Sequence, residues 1–317
     1  MAKAEYLIPL LKSHFDKEDE RFVTLSLQLA AHEAKLGHVA LADEIKKLVD
    51  KSKLNKFKTK SFPSDLDGLI IETFPSENIS DLIAPISVKE KINRVIVEFN
   101  QRDKLRKNDL QNRRKILLSG PPGTGKTFTA SILATELNLP LNIILMEKLV
   151  TKYMGETSMR LRQVFDLITS RQGVYLFDEF DAIGGERSRD NDVGEMRRVL
   201  NSFLQFIERD ESESVIIAIT NNSKLLDQAL FRRFDDVIAY KLPSKDEKLQ
   251  LLKNRLARFS GKLSYTQILP TINGLSHAEI SLACLDAIKE TVLNDKQSMS
   301  NQLVIKTIKD RNSAYHK

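Results

Sequence analysis

The sequence predicts an α/β fold: a P-loop parallel five-stranded sheet flanked by helices, a C-terminal helical lid and a small N-terminal all-α module. Three observations carry that prediction. Ser119-Gly120-Pro121-Pro122-Gly123-Thr124-Gly125-Lys126-Thr127 satisfies the pattern G-x-x-x-x-G-K-[ST] where a short apolar run gives way to helical spacing. From Ser76 onward, apolar runs of strand length alternate with helical patterns, the mark of a parallel sheet covered on both faces. The two ends of the chain are helical only.

Residues 1–50 read as the helical module. Leu7, Leu10, Leu11 and Phe15 cluster around Pro9; Phe22, Leu25, Leu29, His32 and Leu36 recur at three and four before Gly37; Leu41, Ile45, Leu48 and Val49 begin a third helix. His14, His32 and His38 read as surface or helix-face residues, because no Cys or acidic partner recurs at metal-ligand spacing. Residues 51–75 read as a linker, with Lys51, Lys53, Lys56, Lys58 and Lys60 among small and polar residues and Pro63, Gly68 and Pro75 following. The span 76–243 holds the strand candidates Lys115 to Leu118, Leu141 to Leu145, Val174 to Phe177, Val215 to Thr220 and Val237 to Tyr240. In 244–317, Ser244 caps one helix, Ser276 with Glu279 forms a capping box before Ile280 to Leu293, and Leu303, Val304 and Ile308 mark a last helix.

Composition narrows the class. A chain of 317 residues, 41% hydrophobic, has enough apolar material for a substantial core and about two domains. The formal charge of +6 is spread over 29% charged residues of both signs, which suits a mixed solvated surface better than a nucleic-acid stripe. The single cysteine, Cys284, lies in an apolar helical run and reads as a small buried hydrophobe. Met1 to Leu11 lacks a long apolar segment, and no run of about 18 apolar residues occurs anywhere, so the expectation is a cytoplasmic protein without a membrane span.

The candidate chemistry follows from residue types at fixed offsets. Gly120, Gly123 and Gly125 let the backbone turn tightly, so that successive N–H groups point into one concavity at the positive end of the new helix, where a triphosphate fits, and Pro121, Pro122, Thr124 and Phe128 complete the candidate nucleotide-binding stretch. Lys126 would neutralise β- and γ-oxygens, and Thr127 would ligate Mg²⁺. Val174-Tyr175-Leu176-Phe177-Asp178-Glu179 is an apolar strand ending in two carboxylates at its carboxyl end. Asp178 would hold Mg²⁺ and Glu179 would polarise the attacking water. Asn221, after the strand Val215 to Ile219, either orients that water and senses the γ-phosphate or is an ordinary turn residue. Arg232 and Arg233 are either surface charge or a bidentate guanidinium pair for the γ-phosphate of a neighbouring subunit.

Together these residues resemble the AAA+ ATPases, and within them the AAA clade, over about 76 to 312. The resemblance rests on GPPGTGKT, the Asp178-Glu179 strand, Asn221 and the L-D-x-A-L-x-R-R-F-D segment ending at Asp235. It implies ATP and Mg²⁺ as ligands, Asn221 as first sensor, Arg232 and Arg233 as arginine fingers acting in trans, and 244–317 as the lid. It also implies a homo-oligomeric, hexameric ring whose isolated subunit is nearly inactive. Lys152-Tyr153-Met154-Gly155-Glu156-Thr157 is similar to the first pore loop of spastin-like members, with Tyr153 and Met154 gripping an extended polypeptide. Gly184 to Arg189, continuing through Gly194, stands where the second pore loop belongs. Gly274-Leu275-Ser276-His277-Ala278-Glu279 aligns with the lid motif but carries His277 where glycine is usual; that side chain, next to Ala278, either approaches the ribose or adenine or faces water.

The expected function is ATP-dependent protein remodelling or unfolding, with a protein client or companion enzyme recruited by residues 1–75. One alternative is an ATP-controlled binding module regulating a companion protease or nuclease. The other, favoured less, is a nucleic-acid motor or loader, left open by the lysines between Lys51 and Lys60.

Overall fold

The computed structural model describes residues 4–15, 19–58, 62, 66, 68–150, 154–180, 192–222, 231–259, 263–295 and 298–315. The chain divides into two compact units, Met1–Pro63 and Ser64–Lys317.

The first unit contains helices Ala4–Phe15, Asp19–Lys35 and Val39–Lys58, the middle one packing on both others. Its core holds Leu29, Ala30, Ala42 and Val49. Gly37 ends the second helix at φ 85°, a left-handed conformation that costs glycine nothing sterically. Just beyond it, His38 Nδ1 lies 2.7 Å from Glu33 Oε2, and that hydrogen bond holds the buried Glu33 carboxyl below its ordinary range.

The second unit is built on six strands: β1 (Ile70–Thr73), β2 (Lys115–Ser119), β3 (Leu141–Ile144), β4 (Val174–Phe177), β5 (Val215–Thr220) and β6 (Asp236–Ala239). Their order across the sheet is β1-β3-β4-β5-β2-β6. The five expected strands pair in parallel, and β1 adds an antiparallel edge to β3 with Ile70 opposite Ile144. Every residue of β4 and β5 is buried, which is why those segments read as unbroken apolar runs rather than alternating ones.

The stretch 51–75 differs from the expected linker at both ends. Its lysine-rich start continues the third helix to Lys58, in keeping with the good helix propensity of lysine. Its end contains β1, four residues too short to show a periodicity between Gly68 and Pro75. Only the ladder offered by β3 turns Ile70–Thr73 into a strand.

Below the sheet's amino-terminal edge, buried Arg114 donates to both the carboxylate and the carbonyl of buried Asp210, and Asp235 Oδ2 accepts the main-chain N–H groups of Arg114 and Lys115, each at 2.9 Å. These bonds fix where β2 begins, and therefore where it ends and the loop after it starts.

The lid consists of helices Lys245–Leu256, Tyr265–Ile268, His277–Leu293 and Asn301–Tyr315. The expected capping box of Ser276 with Glu279 forms, and the expected cap at Ser244 forms a box of its own with Glu247. Leu252, Leu256, Ile268, Ile280, Val304 and Ile308 make its core, which also takes in Ile83. Cys284 lies within that core, where burial pushes its thiol up to about 12 and leaves it unreactive at neutral pH. Among the described residues no helix is long and apolar enough to cross a membrane.

Replacing Asp210 with alanine should leave a buried guanidinium without its carboxylate and lower unfolding stability by about 3–5 kcal/mol in urea titration. The double variant Arg114→Met, Asp210→Leu should recover most of that loss.

Candidate functional site

β2 delivers the chain into the loop 120–125, and helix Lys126–Glu136 starts directly after it. Gly125 is the cap of that helix at φ 97°. Two close approaches require the other loop glycines. At Gly120, φ 140°, a Cβ would collide with the carbonyl oxygen of Tyr240, whose N–H in turn donates to Ser119 at 2.6 Å. At Gly123, φ 71°, a Cβ would lie 2.5 Å from Ser276 Oγ in the lid. Both glycines are there because backbone must come where a side chain cannot.

Behind the loop, Tyr240 OH and Thr129 Oγ1 are 2.5 Å apart, and Thr129 Oγ1 donates to the Gly125 carbonyl at 3.0 Å. Burial pushes the Tyr240 phenol up to about 12, so it stays protonated and available for this bond. Thr124 Oγ1 donates to Pro121 O at 2.8 Å, closing the loop on itself. Lys126 is almost fully buried, and its Nζ donates to Gly120 O at 2.8 Å and Pro121 O at 2.7 Å. An ammonium held over a concavity of backbone N–H groups suits a polyanion.

The carboxyl ends of β2, β4 and β5 meet at one cavity of about 620 Å³. Its lining includes Pro122, Gly123, Thr124, Gly125, Lys126, Thr127 and Phe128 from the loop and helix, Asp178 and Glu179 after β4, and Asn221 after β5. Thr127 Oγ1 donates to Asp178 Oδ2 at 3.0 Å. A hydroxyl and a carboxylate so close are hard oxygen donors of the kind Mg²⁺ takes, so the residues present fit that ion. Glu179 sits at φ 54°, a left-handed conformation uncommon for a side chain of its size and worth of order 1 kcal/mol. Its N–H donates to Asp178 Oδ1 at 2.8 Å, and Phe180 N–H donates to Ile219 O at 2.8 Å, so bonds on both sides hold the turn that presents the carboxyl.

The lid closes the other wall. Ala278 N–H donates to Gly123 O at 2.9 Å, and His277, Ala278 and Ser281 line the cavity. Asp81, Leu82, Ile83, Leu251 and Arg255 also line it, although the sequence reading assigned them no part. Nothing marks Asp81-Leu82-Ile83 at the level of spacing; only the docking of this segment into the lid core brings it to the site. Leu251 and Arg255 share one face of a capped helix, a signal that says "packed" without saying against what.

Arg232 and Arg233 stand outside the lining of this chain's own cavity. Arg232 is exposed, and Arg233 Nε donates to Glu208 Oε1 at 2.7 Å. Leu226 to Leu230, which open the segment ending at Asp235, lie outside the described residues. So do Lys152 and Tyr153, and Gly184 to Arg189. Met154 opens helix Met154–Ser170, and Arg160 on that helix donates to Lys148 O at 2.5 Å and to Glu156 Oε1 at 2.7 Å. Gly194, expected in a loop, belongs instead to helix Asp192–Arg209, whose apolar positions recur with enough helical regularity to carry a glycine near its start.

The family profile described as "ATPase family associated with various cellular activities (AAA)" matches residues 116–242. The chain is 30% identical to an uncharacterized AAA family ATPase, y4kL, of Sinorhizobium fredii, over 98% of its own length and 96% of that protein's. It is 31% identical to a proteasome-activating nucleotidase of Methanoregula boonei over 76% of its length, and it spans 58% of that protein. The crystal structure of the FIGL-1 AAA domain matches with a TM-score of 0.62 at 20% identity, covering 81% of this chain and 95% of the other, a likeness of fold.

Gly120→Ala should force the loop away from Tyr240. The expected result is a lower melting temperature, by roughly 4–8 °C per kcal/mol lost in a small domain and less in one of this size, together with weakened triphosphate binding by calorimetry.

Proposed function

The chain belongs to the AAA family of ATPases and is a P-loop ATP hydrolase, and from that premise we propose a protein-remodelling machine that works as a homo-oligomeric, hexameric ring in the cytoplasm. The observation that carries the chemical part is the meeting of Lys126, Thr127, Asp178 and Glu179 at one cavity, with Thr127 and Asp178 in contact. The remodelling part is supported by likeness to proteins such as the proteasome-activating nucleotidase, of which the chain spans little more than half.

In this reading the loop N–H groups and Lys126 bind and orient the triphosphate of ATP. Thr127 and Asp178 hold the magnesium ion, which when bound supplies neutralising charge to phosphate oxygens. Glu179 accepts a proton from the attacking water as its oxygen bonds to the γ-phosphorus and the bond to the β-γ bridging oxygen breaks. Asn221 orients that water from the end of β5. Arg232 and Arg233 serve the neighbouring subunit's site, a role that their position outside their own cavity supports. The free guanidinium of Arg232 is the better placed of the two to reach across, while Glu208 orients Arg233.

Mechanical work falls to Tyr153 and Met154, with the helix that Met154 opens carrying the stroke toward the nucleotide. The 1–50 module and the segment after it, to residue 75, recruit the client. The domains in this proposal are 1–50, 51–75, 76–243 and 244–317.

Glu179→Gln should keep ATP affinity and lower turnover by about 10²- to 10⁴-fold in a phosphate-release assay, with oligomers accumulating in ATP on size exclusion. Normal turnover would remove Glu179 from its role. Arg232→Ala should lower turnover by about 10³-fold or more at unchanged ATP affinity, and mixing it with Glu179→Gln subunits should restore activity only where sites are shared. Tyr153→Ala should retain basal hydrolysis and lose unfolding of a tagged fluorescent substrate; retained unfolding would refute threading by that residue. Stimulation by DNA or RNA in place of unfolded polypeptide would favour the motor reading, and a stoichiometric complex without unfolding would favour the binding module.

A further inference from the structure

We infer that His277 selects the nucleobase, a lone pair on its ring accepting a hydrogen from the exocyclic amine of adenine. The inference rests on the ATPase reading above and says which base that site prefers and why.

His277 lines the nucleotide cavity beside Ile83 and Leu251, two residues that also belong to the lid core. This lid-side end presents Leu82, Ile83, Leu251 and Leu282, with Asp81 and Arg255 also in the lining, and offers the apolar surface that the flat face of a base requires, whereas the loop end is built for phosphates. There both ring nitrogens of His277 are buried and, among the described residues, without a hydrogen-bond partner. A buried polar group left unmatched is costly, so a native protein that keeps one in a ligand cavity is expected to match it with the ligand. The Ile83 main chain faces the ring but stays outside hydrogen-bond geometry.

The state of the ring decides what it can read. Burial lowers its pKa, against the opposing pull of Glu247 and the Ile83 backbone, so the imidazole is neutral at pH 7 with one N–H and one lone pair. Glu247 keeps its Oε1 buried and unmatched as well. The Glu247 carboxylate and the Ile83 backbone both favour an N–H on the ring, and the remaining lone pair is the group an adenine amine would meet. A lone pair there attracts the amine at position 6 of adenine and repels the carbonyl oxygen at position 6 of guanine.

The backbone tolerates replacement at this site. His277 is the first residue of helix His277–Leu293, while the cap is made by Ser276 and Glu279, which no change at 277 removes. The test measures binding of ATP and of GTP to the full chain by calorimetry with magnesium, for the wild type, His277→Phe and His277→Ala. Phenylalanine keeps a ring without nitrogens, and alanine removes the ring. The expected result is a wild-type preference for ATP, with affinity for ATP falling about tenfold in both variants and affinity for GTP changing by less than about threefold. Equal losses for both nucleotides would make His277 a space-filler, and unchanged affinities would make it a bystander; either outcome overturns the inference while leaving the ATPase reading intact. Should His277→Phe melt below the assay temperature, His277→Ala alone is read against the same two outcomes. A wild-type chain that binds neither nucleotide would instead sink the reading beneath it.

Discussion

Close contact at two glycines, one against main chain and one against short side chains, is the constraint on which the rest of this structure depends. Gly120 rests against the main chain of Tyr240 after β6, and Gly123 rests against the amino end of the lid helix His277–Leu293. Neither contact admits a Cβ. Through the first, the loop is registered to the sheet; through the second, it is registered to the lid. One six-residue turn therefore fixes three bodies with respect to one another: sheet, loop helix and lid. Any movement of the lid is felt at the Gly123 carbonyl, which accepts the Ala278 N–H, and so at the place where phosphate oxygens would sit.

Around that turn the structure keeps its polar groups either matched locally or facing the cavity. Thr129, Tyr240 and the Gly125 carbonyl satisfy one another behind the loop. Asp178 accepts from Thr127 and from the Glu179 N–H, and the left-handed turn at Glu179 is held from both flanks. Strain of order 1 kcal/mol confined to one residue, surrounded by a rigid sheet, presents a carboxyl in a direction the relaxed chain would not choose. The groups without a match, His277 and one oxygen of Glu247, lie at the lid side instead. The loop side of the cavity is thus satisfied locally, and the lid side keeps buried polar atoms unmatched.

The legibility of this chain varied with the range of the interaction. Runs buried on both faces, such as Val174–Phe177 and Val215–Thr220, could be read because burial dictates their composition directly. The cap at Ser244 and the capping box of Ser276 with Glu279 could be read because a cap acts within three residues of itself. β1 could not, since four residues after Gly68 carry no period of their own and become a strand only when β3 offers its edge. Gly194 was taken for loop material because glycine punctuates on average, whereas the helix around it has enough apolar repeats to absorb one. Asp81, Ile83 and Arg255 reach the cavity from parts of the chain with no motif at all.

By itself the sequence determined the chemistry: a turn that only those glycines permit, an ammonium and a hydroxyl at adjacent positions, and two carboxylates ending an apolar strand, all of them consequences of residue type and short separation. Tertiary structure alone decided which distant segments wall the cavity, that Arg232 and Arg233 stand outside its lining, and that the ring nitrogens of His277 are buried. The reason is physical. Local backbone geometry and burial leave a composition signature in the chain, but the solvation of a side chain depends on what folds over it, and that is settled by contacts hundreds of residues apart.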